Sequence, residues 1–283
     1  MSIIKNISIL TLIGIILLYL IGVYLSRPTQ VTIPNPLIDL PLQEVSFPSK
    51  STAMLHGWYV QGDKDKGGVL LLHGLHSSRV QMLDRAKFLY KAGYSVLLLD
   101  FQGHGESIGE RITFGHLESL DAEAGYLYLK KCVSPYNVAV IGVSLGGASV
   151  LLGEVKNLSS AMVLEAVYPS IEQAIENRLN IKLGKIGTYL LPILTLQLKI
   201  QLGISPKELQ PIEHISSAKG ALFIIGGDKD ERTTIEETKA LYDKAKQIKQ
   251  LWIIKDAKHI DFEKYKPKVY QEKILRFFDT YLD

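Results

Sequence analysis

Apolar runs of strand length recur along the chain, each closed by turn residues and followed by an amphipathic, helix-like stretch. The runs occupy residues 69–72, 95–99, 138–141, 161–164, 221–225 and 251–254, with helical patterns over 79–92, 116–130 and 234–248 between them. Strands apolar on both faces that alternate with helices predict a mostly parallel sheet covered on both sides. Ahead of them, residues 43–47 and 53–60 predict a short hairpin, which brings the expected sheet to eight strands in an α/β fold. No internal repeat is visible.

Two segments break this rhythm. Between the strands at 161–164 and 221–225, residues 168–217 are far longer than a single crossover helix requires. Their middle, YLLPILTLQLKIQL at 189–202, carries Lys199 as its only charge. Leu194, Leu196, Leu198, Ile200 and Leu202 alternate with other residues as in a strand, whereas Leu190, Leu194, Leu198 and Leu202 share one helical face, so the period alone leaves both readings open. The length and position predict a mainly helical insertion over the carboxyl edge of the sheet, that is, a lid.

The second is ISILTLIGIILLYLIGVYL at 7–25, nineteen residues without a charge, long enough as a helix to approach the thickness of a bilayer's hydrocarbon. No small-x-small cleavage site or lipid-accepting cysteine follows, so residues 1–27 are expected to be an uncleaved, single-pass membrane anchor. The amino terminus and Lys5 outweigh Arg27, which places the amino end in the cytoplasm and the domain on the extracytoplasmic side. Residues 28–41, with Pro28, Pro34, Pro36 and Pro41, then read as a linker leading to a domain over 42–283.

Composition narrows the classes further. In 283 residues, 47% apolar and 22% charged content is that of a globular chain, and disordered or fibrous classes are excluded. The net charge of +3, with Lys244, Lys246 and Lys249 on a solvated helical face, gives no footprint for nucleic acid. One cysteine, Cys132, excludes an internal disulfide and any cysteine-based zinc site.

Ligands of such sheets bind beyond the carboxyl ends of the strands, and the chemistry-bearing residues fall there. The strand at 138–141 runs into Gly142-Val143-Ser144-Leu145-Gly146 and a helix, the pattern of a nucleophile elbow, in which the glycines let Ser144 occupy an exposed tip. A serine hydroxyl needs a base, and His259 follows the last strand where its loop can reach toward Ser144. The base needs an orienting carboxylate, and the strand at 221–225 leads into Gly226-Gly227-Asp228-Lys229-Asp230. Two backbone amides would hold the oxyanion. One is that of Leu145 at the helix start; the other is that of Leu75 after the strand at 69–72, with Gly74 turning the backbone inward.

These residues resemble the α/β-hydrolase superfamily from about Leu42 to the chain end. The resemblance rests on LLHG at 71–74, LLLDFQGHGES at 97–107, IGVSLGG at 141–147, GGDKD at 226–230 and AKH at 257–259. It implies that the orienting carboxylate is Asp230, three residues after Gly227, with Asp228 the alternative. It also implies that Asp100 and His104 fix a loop and perform no chemistry. The segment from Ser205 to Ile215 is similar to one in bacterial hydrolases near the serine-aminopeptidase and monoacylglycerol-lipase-like groups.

The resulting expectation is a membrane-anchored serine hydrolase, a carboxylesterase or lipase-like enzyme for small acyl esters or lipids. Ser144, His259 and Asp230 form its triad, Leu75 and Leu145 its oxyanion hole, and it needs no metal or organic cofactor. The alternatives are a peptidase or amidase, an acyltransferase, and a non-catalytic tethered binding protein. Oligomeric state leaves no trace in the sequence.

Overall fold

A computed structural model describes residues 2–34 and 39–282, with the backbone alone for 2–8, 10 and 11. The chain opens with helix α1 (Ser2–Leu25), strand β1 (Thr29–Gln30), and the hairpin β2 (Gln43–Pro48) and β3 (Met54–Val60). Then come β4 (Gly68–Leu72), α2 (Leu83–Lys91), β5 (Ser95–Leu99), the two-residue β6 (His104–Gly105) and α3 (His116–Val133). The nucleophile strand β7 (Val138–Val143) leads into α4 (Leu145–Leu152) and α5 (Val155–Leu158), and β8 (Ala161–Glu165) precedes the long insertion. Within it lie α6 (Ile171–Leu183), α7 (Leu191–Gln197) and α8 (Pro211–His214). The chain closes with β9 (Ala221–Gly227), α9 (Ile235–Lys244), β10 (Lys249–Ile254), α10 (Phe262–Tyr265) and α11 (Pro267–Tyr281).

Eight strands form one mixed, mainly parallel sheet in the order β10-β9-β8-β7-β4-β5-β3-β2, with only β3 and β2 antiparallel to their neighbours. The central strands are buried end to end, as their unbroken aliphatic sequences require. Successive side chains point to opposite faces, so Leu70 and Leu72 enter the core under α3 and α4 while Val69 and Leu71 enter the one under α2 and α11. Both faces are therefore sealed, and the carboxyl edge of the strands is left for chemistry.

A buried polar network fastens the second face. Arg85 of α2 donates from Nε and Nη2 to the two oxygens of Glu165 at the end of β8, at 3.1 and 2.7 Å. Tyr270 of α11 donates to the same carboxylate at 2.5 Å, and Arg85 lies 2.9 Å from Asp261, the N-cap of α10. Removing either buried partner would strand the other charge in a low-dielectric interior.

The insertion resolves the ambiguity of 189–202 in favour of helix. Leu194, Leu198 and Leu202 line one side of a cavity, while Leu196 and Ile200, which a strand would have placed with them, are exposed. A small separate core of Ile171, Leu198, Ile204 and Leu209 holds the insertion together.

The expectation of a membrane anchor at 1–27 is overturned. Among the described residues no helix is long and apolar enough to cross a membrane, and the extracytoplasmic placement that depended on a span falls with it. The carboxyl-terminal turns of α1 lie against the insertion instead. Gln197 and Gln201 donate side-chain amides to the carbonyls of Leu18 and Tyr19 at 2.9 and 3.1 Å. Nor is the described part of 28–41 a free spacer. β1 pairs with β6 in parallel, Val31 N donates to Gly105 O at 2.8 Å, and Ile33 and Leu40 are buried. Residues 35–38 of that segment, Pro36 included, lie outside the described residues.

Candidate active site

Ser144 sits where β7 ends and α4 begins, with φ +50° and ψ −105°, a conformation that a non-glycine residue adopts only when its surroundings impose it. The neighbouring glycines are what allow this. A Cβ on Gly146 would lie 2.4 Å from Leu72 O, and one on Gly142 would lie 2.6 Å from Gly147 N, both backbone atoms that cannot give way. Ser144 N donates to Glu165 O at 2.7 Å, and Ser144 O accepts from Ala148 N at 3.0 Å, so the residue is pinned from β8 and from its own helix. Its side chain faces the cavity.

His259 and Asp230 come together from two successive loops. Lys229 N donates to Ala257 O at 2.9 Å and Asp228 N to Ile254 O at 3.2 Å, which holds the loop after β9 against the loop after β10. His259 Nδ1 then lies 2.7 Å from Asp230 Oδ2, while Asp230 Oδ1 accepts from the amides of Arg232 and Thr233 at 2.8 and 2.9 Å. The Asp230 carboxylate is thus fully engaged, which fixes the Nδ1–H tautomer and leaves Nε2 as the free base. The side chain of Asp228 does not take part; its Oδ1 is buried without a partner. Ser144 Oγ and His259 Nε2 share no hydrogen bond in this structure, a distance that catalytic pairs often close only around substrate.

Leu75 and Leu145 both border the cavity beside Ser144. The amide of Leu145 is in the first turn of α4, where no intrahelical acceptor exists, and that of Leu75 has no backbone partner among the described residues. The expected role of Gly74 is corrected here. Its φ is not positive and a Cβ would find its nearest neighbour at 3.6 Å, so glycine is not what turns this loop. The turn is made by His76, at φ +57°, and held by Gln81, whose side-chain oxygen accepts from Gly74 N at 2.8 Å.

His73 ties the same loop to its neighbour. Its Nδ1 donates to Gly74 O at 2.7 Å and its Nε2 accepts from Phe101 N at 3.2 Å, so the ring bridges the loops after β4 and β5 as a neutral imidazole. Complete burial, reinforced by the nearby His104, pushes its pKa down to about 3. Asp100 braces the second loop by accepting from the amides of Arg79 and Glu106 and pairing with the Arg79 guanidinium. The ring of His104, itself held neutral by burial, hydrogen-bonds among the described residues only to Gln102 O.

The cavity measures about 110 Å³ and is walled chiefly by leucine, isoleucine and phenylalanine from the insertion and the loops. Its one charged lining residue is Arg178 of α6, which donates to Ala174 O at 2.7 Å and forms no ion pair among the described residues. Burial, and then the charge of Arg232, lower its pKa. Arg178, Gln81 and Phe114 carry no local pattern that marks them for this site, since each reaches it through a tertiary contact. Among the described residues, no cluster of His, Cys, Asp and Glu has an arrangement that could hold a metal ion.

A family model described as serine aminopeptidase, S33, matches residues 63–211, more than half of the chain. The chain belongs to this family of α/β-hydrolases. Curated relatives include the uncharacterised protein YqkD of Bacillus subtilis, 22% identical over 84% of this chain and 79% of its own length. An uncharacterised protein of Mycobacterium tuberculosis is 26% identical over 88% of this chain and 84% of its own. Among solved structures, the Pyrococcus furiosus esterase Pf2001 superposes with a TM-score of 0.73 at 24% identity, covering 92% of this chain and 99% of that one. The α/β-hydrolase GrgF from Penicillium gives 0.66 at 19% identity, covering 86% and 99%.

Proposed function

We propose that this hydrolase cleaves acyl esters through an acyl-enzyme on Ser144. The observation that carries the reading is the lining of the cavity around Ser144: mainly apolar, with Arg178 as its single charge and no carboxylate among the described residues. An aminopeptidase must hold the cationic α-amine of its substrate, and a pocket whose only charge is a guanidinium repels that group. An uncharged acyl chain suits the same walls.

In the proposed reaction, Ser144 Oγ attacks the ester carbonyl as His259 Nε2 takes its proton. Asp230 steadies the imidazolium through Nδ1, a role in which general-base catalysis contributes on the order of 10² to 10⁴. The carbonyl oxygen becomes an oxyanion facing the amides of Leu75 and Leu145, each donor worth roughly 10² to 10³ in rate. Collapse breaks the C–O bond, and His259 returns the proton to the departing alcohol. Water, losing its proton to His259, then attacks the acyl carbon, and Ser144 leaves with that proton. The helices of 168–217 act as a lid that shelters the acyl group from water.

The test is labelling of the protein and of Ser144→Ala with a fluorophosphonate probe, alongside turnover of p-nitrophenyl esters and of aminoacyl p-nitroanilides. Labelling lost in the variant together with ester turnover supports the reading. Faster anilide than ester cleavage would move it to an amidase, and a folded protein that neither labels nor turns over would point to a binding role.

A further inference from the structure

The cavity beside Ser144 is bordered by an element that hydrolytic chemistry does not require. Gly22, Leu25 and Ser26, from the end of α1, form part of its wall, opposite Leu194, Gln197, Leu198 and Gln201 of the insertion. The seam between the two is polar within an otherwise apolar enclosure. Gln197, buried to 8% exposure, donates to Leu18 O at 2.9 Å; Gln201 donates to Tyr19 O at 3.1 Å and to Gln197 Oε1 at 2.9 Å. Both amides therefore grip the backbone of α1, and each holds the other in place.

The two glycines of α1 show where this approach is tight. A Cβ on Gly14 would meet nothing within 4 Å. One on Gly22 would lie 2.0 Å from Gln197 Oε1 and 2.8 Å from Gln201 Nε2. Both neighbours are the ends of flexible glutamine side chains, so a methyl group at 22 displaces the Gln197 amide from α1 toward the cavity it lines and leaves the helix in place. The end of α1 is also tied down behind the seam. Ser26 O accepts from Ile112 N at 2.8 Å, and Leu25 O contacts His76 Nε2 at 3.2 Å.

Resting on the esterase reading above, we propose that Gly22 and the Gln197–Gln201 pair set the acyl-chain length this site accepts, with α1 as a wall of the acyl pocket. The size of the cavity gives the limit. An apolar protein cavity of roughly 150 Å³ holds a benzene molecule, so about 110 Å³ takes a straight acyl chain of on the order of four or five carbons. Longer chains run against the Gln197–Gln201 seam in the pocket wall. Gln197 and Gln201 thus determine specificity without touching the reacting atoms.

The experiment compares kcat/KM for p-nitrophenyl butyrate and octanoate in the full chain and in Gln197→Ala, Gly22→Ala and Gly14→Ala. A misfit of a few methylenes in an apolar pocket changes kcat/KM about tenfold or more. Gln197→Ala, which shortens the side chain at the pocket's end, raises the octanoate-to-butyrate ratio about tenfold. Gly22→Ala, which pushes Gln197 inward, lowers it about as much, and Gly14→Ala leaves it unchanged. Two shifts of opposite sign are an outcome that a general loss of packing does not produce. Superimposable chain-length profiles in proteins that label with fluorophosphonate and keep their thermal midpoints would overturn the proposal and leave the esterase reading standing. A full chain that neither labels nor hydrolyses would remove the esterase reading first, and this inference with it. Should Gly22→Ala fail to fold, an unshifted ratio in Gln197→Ala alone is enough to refute the assignment.

Discussion

Replacing His73 by glutamine keeps one donor and one acceptor between the loops after β4 and β5 but removes a fully buried group that can change charge at mildly acidic pH. In the folded protein His73 is neutral, its pKa pushed from 6.5 down to about 3 by burial. For a base with a depressed value, the stabilisation is fully present above pH 6.5 and is lost as pH falls toward 3, because the unfolded chain takes up a proton that the folded one refuses. At roughly 1.4 kcal/mol per pH unit the loss is about 3 kcal/mol at pH 4 and about 5 kcal/mol below pH 3, a large part of a typical domain's stability. Asp121 acts in the opposite direction. Burial raises its carboxyl to about 6, so the fold gains from its protonation on acidification, but that contribution is common to both proteins and cancels in the comparison. Urea unfolding followed through the buried Trp58 measures the difference. At pH 8 the variant is expected to be less stable by about 1 kcal/mol, from imperfect hydrogen bonds. At pH 4 the order reverses and the variant is more stable by about 2 kcal/mol. A gap of the same size and sign at both pH values would refute the argument that His73 is held neutral.

Three further outcomes follow from the same geometry. Asp230→Asn places an amide against His259 Nδ1 and is expected to cut kcat for ester hydrolysis by about 10⁴ with little change in KM, read from steady-state kinetics; a loss under tenfold removes Asp230 from the mechanism. Gly146→Ala sets a methyl group 2.4 Å from Leu72 O and should abolish fluorophosphonate labelling, with a stability loss of about 1–3 kcal/mol by denaturant titration; normal labelling would show that the elbow has slack. Glu165→Gln leaves Arg85 buried with only Asp261 to balance it, for an expected cost of about 3–5 kcal/mol and a thermal midpoint lower by about 10 °C. An unchanged midpoint in a calorimetric scan would mean that the pair is not formed.

Strands made of uninterrupted aliphatic residues were legible because their sequence leaves them no surface to occupy: GVLLL, SVLLL and VAVIGV become β4, β5 and β7. The residues expected after those strands are brought to one edge for the same reason, since a parallel sheet delivers every carboxyl end to the same side. What the sequence concealed depends on contacts between distant parts. The apolar run at 7–25 reports how greasy the helix is and nothing about where it packs, and its partners are side-chain amides at 197 and 201 that grip backbone carbonyls. β1 is two residues long and pairs with His104–Gly105, too short for any periodicity to register. The alternating leucines at 194–202 fit two periods equally, and the packing of Leu194, Leu198 and Leu202 around one cavity decided between them. Gly74 shows that glycine's freedom is a licence that a loop need not use, since here the left-handed turn falls on His76.

The order of strands across the sheet differs from the order in which a ribosome delivers them. β4 lies between β7 and β5, and the far edge is built outward through β8 and β9 to β10. On the proposed assignment the nucleophile emerges with β7, its orienting carboxylate with the loop after β9, and the imidazole only after β10, the last strand made. On that assignment a nascent or truncated chain that reaches past β8 but ends before His259 carries Ser144 without the base that would ionise it. Synthesis therefore delivers the proposed nucleophile well before the group that would activate it.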